Sequence, residues 1–80
     1  MTREEVIEII KNNILDNLED LEEGDIDTSK SMKDFGANSL DIIEVVSTSM
    51  RELSIKIPRA DLADISTVDQ LADKFMEHLK

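Results

Sequence analysis

The chain contains no cysteine, tryptophan or tyrosine, and only one histidine, one proline and two glycines among its 80 residues. Without cysteine there is neither a disulfide framework nor a thiolate metal site, so the fold must stand on its own core. That core is short of aromatics, since Phe35 and Phe75 are the only two and the remaining apolar content is aliphatic. A domain of this length hides roughly 60% of the surface its unfolded chain exposes, so an aliphatic core is feasible but thin. Bases are also scarce: 9 Lys and Arg face 19 Asp and Glu, for a net charge of −10. Nucleic-acid binders neutralise phosphates with basic side chains, and this chain would be repelled by them. The same sign argues against an anionic membrane surface. No apolar run approaches the roughly 18 residues of a membrane span, and Met1-Thr2-Arg3-Glu4-Glu5 lacks the basic and then apolar start of a signal peptide. A cytoplasmic protein, with no nucleic-acid or membrane partner, is expected. The regular recurrence of Ile, Val, Leu and Met argues against disorder as the meaning of the high charge.

Helical periodicity dominates what is present. Thr2, with Glu5 three residues on, forms a capping box, and Ile7, Ile10, Ile14, Leu18 and Leu21 then recur at intervals of three and four. A first helix is therefore predicted from Arg3 to about Leu18. Periodicity disappears from Glu22 to Asn38, where Gly24, Asp25, Asp27, Ser29, Ser31 and Gly36 supply turn chemistry. These 17 residues make a long connection, since helix-to-helix links usually take about 2 to 8. Ile26, Met32 and Phe35 are the expected anchors that pin it over the helices. A second helix starts at Asn38 or Ser39, with Ile42, Val45, Val46, Ser49, Met50 and Leu53 as its buried stripe and Asp41, Glu44, Thr48 and Arg51 on the opposite face. It must finish before Ile57, because Pro58 lacks an amide hydrogen and holds its predecessor extended. A short helical turn from about Arg59 to Asp64 follows. Ser66, helped by Asp69, is expected to cap a last helix whose inner face is Val68, Leu71, Phe75 and Leu79. The run Leu53 to Ile57 could pass for a strand, but nothing else in the chain could pair with it. The fold class expected is all-α: one domain spanning residues 1–80, a small four-helix bundle with three longer helices, a short third helix and a long first loop.

The charge is unevenly distributed. Residues 1–40 carry 4 bases and 11 acids, and residues 41–80 carry 5 bases and 8 acids. Seven acids and no base lie between Asp16 and Asp27. A calcium loop fails on spacing: counted from Glu19, Gly24 takes the sixth place, but Leu21 and Lys30 fall where oxygen ligands are required. The run is read as a solvated helix end and loop, and no metal is expected. His78, near the end of the last helix, suits the helix dipole as a surface residue. With one histidine, no cysteine and no Gly-x-Ser-x-Gly elbow, a nucleophile with its own base is absent from the inventory, and no enzyme is expected.

What remains is the junction Asp34-Phe35-Gly36-Ala37-Asn38-Ser39-Leu40-Asp41. In its plainest reading Asn38 or Ser39 is an N-cap worth about 1 kcal/mol, with Asp41 meeting the positive end of the dipole. Three features ask for more. A long loop delivers the hydroxyl, Gly36 lets the backbone turn just upstream, and a patterned acidic face begins immediately downstream.

Gly36-Ala37-Asn38-Ser39-Leu40-Asp41 resembles the attachment motif of acyl carrier proteins, Gly-x-Asp-Ser-Leu-Asp. The resemblance extends over nearly the whole chain, through the acidic first helix, the long loop, the Ile57-Pro58 boundary and the amphipathic last helix. It implies that Ser39 accepts 4′-phosphopantetheine from coenzyme A through a separate phosphopantetheinyl transferase, and that the arm's thiol carries acyl groups as thioesters. A phosphodiester there would sit at a helix N-terminus, which favours an anion. It further implies partner contacts at Leu40, Asp41 and Glu44, with Ser47 and Arg51 tuning the choice of acyltransferase, ketosynthase or similar enzyme. A monomer is expected. Asn38 departs from the family's aspartate; it keeps the capping ability, removes one charge and bears on acceptance by a given transferase. Downstream, Leu53-Ser54-Ile55-Lys56-Ile57-Pro58-Arg59-Ala60-Asp61-Leu62-Ala63 and Gln70-Leu71-Ala72-Asp73-Lys74-Phe75 are similar to freestanding donor carriers of polyketide β-branching cassettes, which bring an acetyl unit to a hydroxymethylglutaryl (HMG)-synthase-like enzyme. Service in fatty-acid or aminoacyl and peptidyl pathways is the alternative within the class. A helical interaction module in which Ser39 is only a cap is the alternative outside it.

Overall fold

The computed structural model describes residues 1–63 and 65–79. Four α-helices follow in chain order: α1 Arg3–Asn17, α2 Ser39–Leu53, α3 Arg59–Leu62 and α4 Val68–His78. Two 3-10 turns, Glu23–Asp25 and Met32–Phe35, break up the long connection between α1 and α2. The described residues hold no strand, only an isolated antiparallel bridge between Ser31 and Thr67. The all-α bundle with a long first loop is therefore the observed fold. Asp64, placed by sequence at the end of the third helix, lies outside the described residues. No helix among the described residues is long and apolar enough to cross a membrane.

Each long helix starts on a reciprocal cap, and the caps explain the boundaries. At α1 the Thr2 hydroxyl accepts from the Glu5 amide while the Glu5 carboxylate accepts from the Thr2 amide, at 3.2 and 3.0 Å. Two of the amides that a helix start leaves unpaired are thereby satisfied. At α4 the sequence reading needs correction. The cap is Thr67, paired with Gln70, and not Ser66 paired with Asp69. Ser66 is drawn out of the helix because its carbonyl accepts the Met32 amide at 2.9 Å. Gln70 Oε1 then collects the Ser66 amide, the Ser66 hydroxyl and the Thr67 amide. Asp69 instead pairs with Arg3 at 3.2 Å, and Arg3 also reaches Asp73 at 2.9 Å. This clamp ties the start of α1 to α4. At its other end α2 stops on Ser54, which takes the left-handed conformation at φ 56° while Ile55 donates back to the Met50 carbonyl. Those bonds satisfy carbonyls that the helix end leaves free.

α1 packs against both α2 and α4. Its buried face is accordingly wider than a single stripe and is centred differently from the one expected. Val6, Ile10, Asn13 and Ile14 are buried, whereas Ile7 is only half-buried. Leu18 and Leu21 lie beyond the helix and pack at its margin. From α2 come Val45, Val46, Ser49 and Leu53, and from α4 Val68, Leu71, Ala72 and Phe75. Leu79, expected on the inner face of α4, is half-buried just past its end. The loop contributes Ile26, Met32 and Ala37, with Phe35 packed alongside. Two backbone bonds, Met32 to Ser66 and Asp69 to Thr28, hold the loop against the start of α4.

Buried among these apolar groups is one polar pair, in which Asn13 Nδ2 donates to Ser49 Oγ at 2.8 Å. Removing one partner strands a buried donor and costs about 1–3 kcal/mol, whereas removing both is nearly neutral. Ser49→Ala should therefore lower the melting temperature by about 4–8 °C for each kcal/mol lost. Asn13→Leu combined with Ser49→Ala should recover most of that loss in a thermal melt followed by circular dichroism.

The α1 cap sets a pH dependence. Hydrogen bonds from Thr2, first its amide and then its hydroxyl, hold the Glu5 carboxyl below its ordinary value of 4.5. A depressed folded pKa means that the contribution is full above the unfolded value and is lost as pH falls through the folded one. Glu5→Gln should consequently destabilise the protein at neutral pH, and the gap to wild type should close as pH drops below 4.5. Denaturant melts at a series of pH values measure this.

Candidate functional site

Ser39 is the first residue of α2 and is exposed. Three upstream steps put it there. The Met32–Phe35 turn ends at Gly36, whose φ of 91° belongs to the left-handed region that glycine enters without strain. Its amide donates back to the Lys33 carbonyl, closing the turn. Ala37 then inserts into the core and fixes the chain just before the helix. Finally, Asn38 Oδ1 accepts from the Asp41 amide at 2.9 Å, and Asp41 Oδ2 accepts from the Asn38 amide at 3.1 Å. Asparagine thus fulfils the capping role here without a charge of its own.

The box leaves the site chemically open. Among the described residues, neither the Ser39 nor the Leu40 amide donates to a protein acceptor outside the regular helix ladder. Two free amides at the positive end of a 15-residue helix suit an anion bonded to the Ser39 hydroxyl. Those residues therefore fit a phosphodiester on Ser39, as the sequence motif implies.

The remaining expected contact residues divide into two groups. Leu40, Glu44, Ser47 and Arg51 follow one another at intervals of four, three and four, so they share one stripe of α2. Leu40, Glu44 and Arg51 are exposed and Ser47 is half-buried. Asp41 lies about 100° round the helix from Leu40. It is half-buried, with its carboxylate committed to the cap. Its contribution is first to the shape of the helix start.

Sequence reasoning missed Ile43. It is 45% exposed and stands one turn from Leu40, which is 76% exposed. Both belong to the small set of exposed large hydrophobic side chains. The signal was available: Ile43 follows Leu40 by three residues and lies at the margin of the buried stripe. Beside it opens a groove of about 320 Å³ between α2 and the α3 region, lined by Ile42, Ile43, Ser47, Met50, Arg59 and Leu62 among others. The dense acids from Glu19 to Asp27 are exposed, and no acidic or histidine cluster among the described residues is arranged to hold a metal ion. Within that run Asp27 accepts from the Ser29 hydroxyl and amide, which holds its carboxyl below the ordinary 3.8.

Comparison with known proteins agrees with this geometry. Residues 8–75 match the family described as "Phosphopantetheine attachment site". The polyketide biosynthesis acyl-carrier-protein AcpK of Bacillus subtilis is 27% identical over 91% of this chain and 89% of its own. An acyl carrier protein of Thermotoga maritima is 34% identical over 88% of this chain and 86% of its own. A chain in the crystal structure of the curacin biosynthetic pathway HMG synthase in complex with acetyl donor-ACP superposes with a TM-score of 0.84. It is 33% identical, with 94% of this chain and 96% of that one covered. Matched by the family model over residues 8–75 and by relatives along nearly its full length, this chain belongs to the acyl carrier proteins, which bear covalent 4′-phosphopantetheine and act as carriers rather than enzymes.

Proposed function

We propose that this chain, acting as one carrier domain in the cytoplasm, is a donor carrier in polyketide β-branching. In this reading a phosphopantetheinyl transferase loads Ser39, and a short acyl unit such as acetyl is then passed to an HMG-synthase-like enzyme. The observation that carries the attachment site is the exposed hydroxyl of Ser39 on the first residue of a capped helix, beside two free amides. Donor service is supported by the 33% identity and 0.84 TM-score to a chain from the complex of the curacin-pathway HMG synthase with acetyl donor-ACP. The similarity to AcpK supports polyketide biosynthesis. The 34% identity to the Thermotoga protein favours a second reading, a general acyl carrier without the donor specialisation.

When bound, the arm supplies a terminal thiol that holds an acyl group as a thioester, and the chain itself has no cysteine to compete with it. The residues of the chain do the rest. Ser39 provides the oxygen, and the amides of Ser39 and Leu40 with the helix dipole balance the phosphate charge. Asp41, the acid nearest in sequence, is held by the Asn38 amide rather than aimed at the arm. Leu40 and Ile43 offer a small apolar contact to an enzyme, and Glu44 supplies a charge at its edge. Edge charges mainly set encounter rate and specificity.

Incubation with coenzyme A and a broad-specificity phosphopantetheinyl transferase should add one arm to the intact protein by mass spectrometry, and Ser39→Ala should abolish the gain. An equal gain in Ser39→Ala would overturn the assignment. Transfer of acetyl from the loaded protein to an HMG-synthase-like enzyme, and not to fatty-acid enzymes, separates the donor from the general carrier.

The docking face has its own test. Charge reversal at Glu44 should slow acyl loading about threefold or more, and added salt should narrow the difference. Reversal at Glu8, exposed on α1, should leave the rate near wild type. Equal effects would remove α2 as the docking face.

A further inference from the structure

Met32 makes more bonds than its place in a short turn requires. Its amide donates to the Ser66 carbonyl at 2.9 Å, across to the segment that leads into α4. Its carbonyl accepts from the Ala37 amide at 3.4 Å and shares the Gly36 amide with the Lys33 carbonyl. Its side chain is 1% exposed and lines the inner wall of the groove, together with Ile42 and Val46 of α2 and Ile65 of the segment before α4. One residue thus joins α2, the approach to α4 and the chain that enters the Ser39 site. Ile26, the other large loop side chain in the core, has its amide bonded only within its own turn, to the Glu23 carbonyl.

That chain matters because the first turn of a helix cannot hold itself: its amides have no carbonyl one turn back to bond. Ser39 therefore takes its place from upstream. The Asn38–Asp41 box sets the register of α2, while Gly36 and Ala37, bonded back to Met32, set the direction from which the backbone arrives. A flexible thioether side chain suits the irregular gap between three elements. In the loading step the Ser39 oxygen bonds to the phosphorus next to pantetheine, the pyrophosphate link of coenzyme A breaks, the adenosine bisphosphate leaves and the hydroxyl proton is released. Such a step needs its reacting atoms aligned at about 3–3.5 Å, and a misplacement of about 1 Å can cost about 100-fold in rate.

We propose that Met32 is a positioning residue for the attachment reaction, acting through Gly36 and Ala37 to present the Ser39 hydroxyl in a fixed place. This rests on the reading of Ser39 as the attachment residue. A transferase that grips the exposed side chains of α2 meets the same surface whatever stands at position 32. Truncation of Met32 consequently lowers kcat for loading and leaves KM for the carrier near its wild-type value.

The test follows transfer of the arm from coenzyme A by a broad-specificity phosphopantetheinyl transferase, below the melting range of each variant. Met32→Ala should lower kcat about tenfold with KM within about twofold, and Met32→Leu, which keeps the volume, should restore kcat to within about twofold. Ile10→Ala is the control for stability alone, since Ile10 is fully buried on α1 and does not line the groove. It should lower the melting temperature comparably and keep kcat within about twofold of wild type. Met32→Val and Ile10→Val repeat the comparison with a smaller truncation should either alanine variant fail to fold. In amide NMR spectra Met32→Val should shift the signals of Ala37, Ser39 and Leu40, and Ile10→Val should leave them in place. A folded Met32→Ala or Met32→Val with kcat within about twofold of wild type would overturn the proposal. So would an equal loss of kcat in the matching Ile10 variant, or a loss carried by KM alone. Failure of the wild-type protein to load at Ser39 would instead overturn the attachment reading on which the proposal stands.

Discussion

The site depends on where α2 begins, and a single reciprocal pair decides that. Asn38 and Asp41 satisfy each other's amides at 2.9 and 3.1 Å, which makes Ser39 the first helical residue. A start displaced by one residue would turn the helix by about 100° relative to the chain leading into it. Val45, Val46, Ser49 and Leu53 would then leave the core, and Leu40, Glu44 and Arg51 would leave the surface. The cap therefore couples the packing of the bundle to the composition of its exposed face. It also stops short of closing the helix start completely, because the amides of Ser39 and Leu40 remain open to an anion.

A cap fixes the register of a helix but does not aim it. The long connection does that, behaving as a packed element rather than a tether. Ordering its backbone costs about 1–2 kcal/mol per residue, and the burial of Ile26, Met32 and Ala37 offsets part of that cost. The loop is also tied to the start of α4. There the Ser66 carbonyl takes the Met32 amide, and the Thr28 carbonyl takes that of Asp69. Gln70 gathers the freed donors of Ser66 and Thr67 on one oxygen. The α4 start is thus built jointly with the loop, four residues before Gly36 turns the chain toward Ser39.

This coupling explains which features were legible in the sequence. Caps whose two members are close in sequence, such as Thr2 with Glu5, are local chemistry and could be read directly. So could the residues around Ser39, since Gly36, Asn38 and Asp41 each have a backbone reason for their place. The α4 cap was misread because Ser66 and Thr67 are equivalent by propensity, and only the carbonyl bond to Met32, far away in sequence, decides between them. The stripe of α1 was misread for a similar reason. A helix with two neighbours buries more than one row, and spacing alone does not reveal that Asn13 has a buried partner in Ser49. Ile43 was placed on neither face by spacing, because it lies at the margin of the apolar stripe, and only the packed helix shows that it is turned outward.

The same distinction separates the two meanings of charge in this chain. The acids from Glu19 to Asp27 are exposed, and apart from local turns such as Asp27 with Ser29 they serve no contact among the described residues. The few charges on α2 are placed by the cap, and so they carry geometric information that the dense run lacks. A carrier has to meet a loading enzyme and a receiving enzyme in turn, and leave each. Deep burial at a docking face, the role proposed above for α2, would slow release, because affinity differences between related complexes appear mainly in dissociation. Two exposed apolar side chains with charges at their edge suit the opposite regime, in which encounter is steered and the complex is short-lived. The stability of the bundle and the selectivity of its surface can thus be varied separately, provided that the Asn38–Asp41 pair holds the boundary between them.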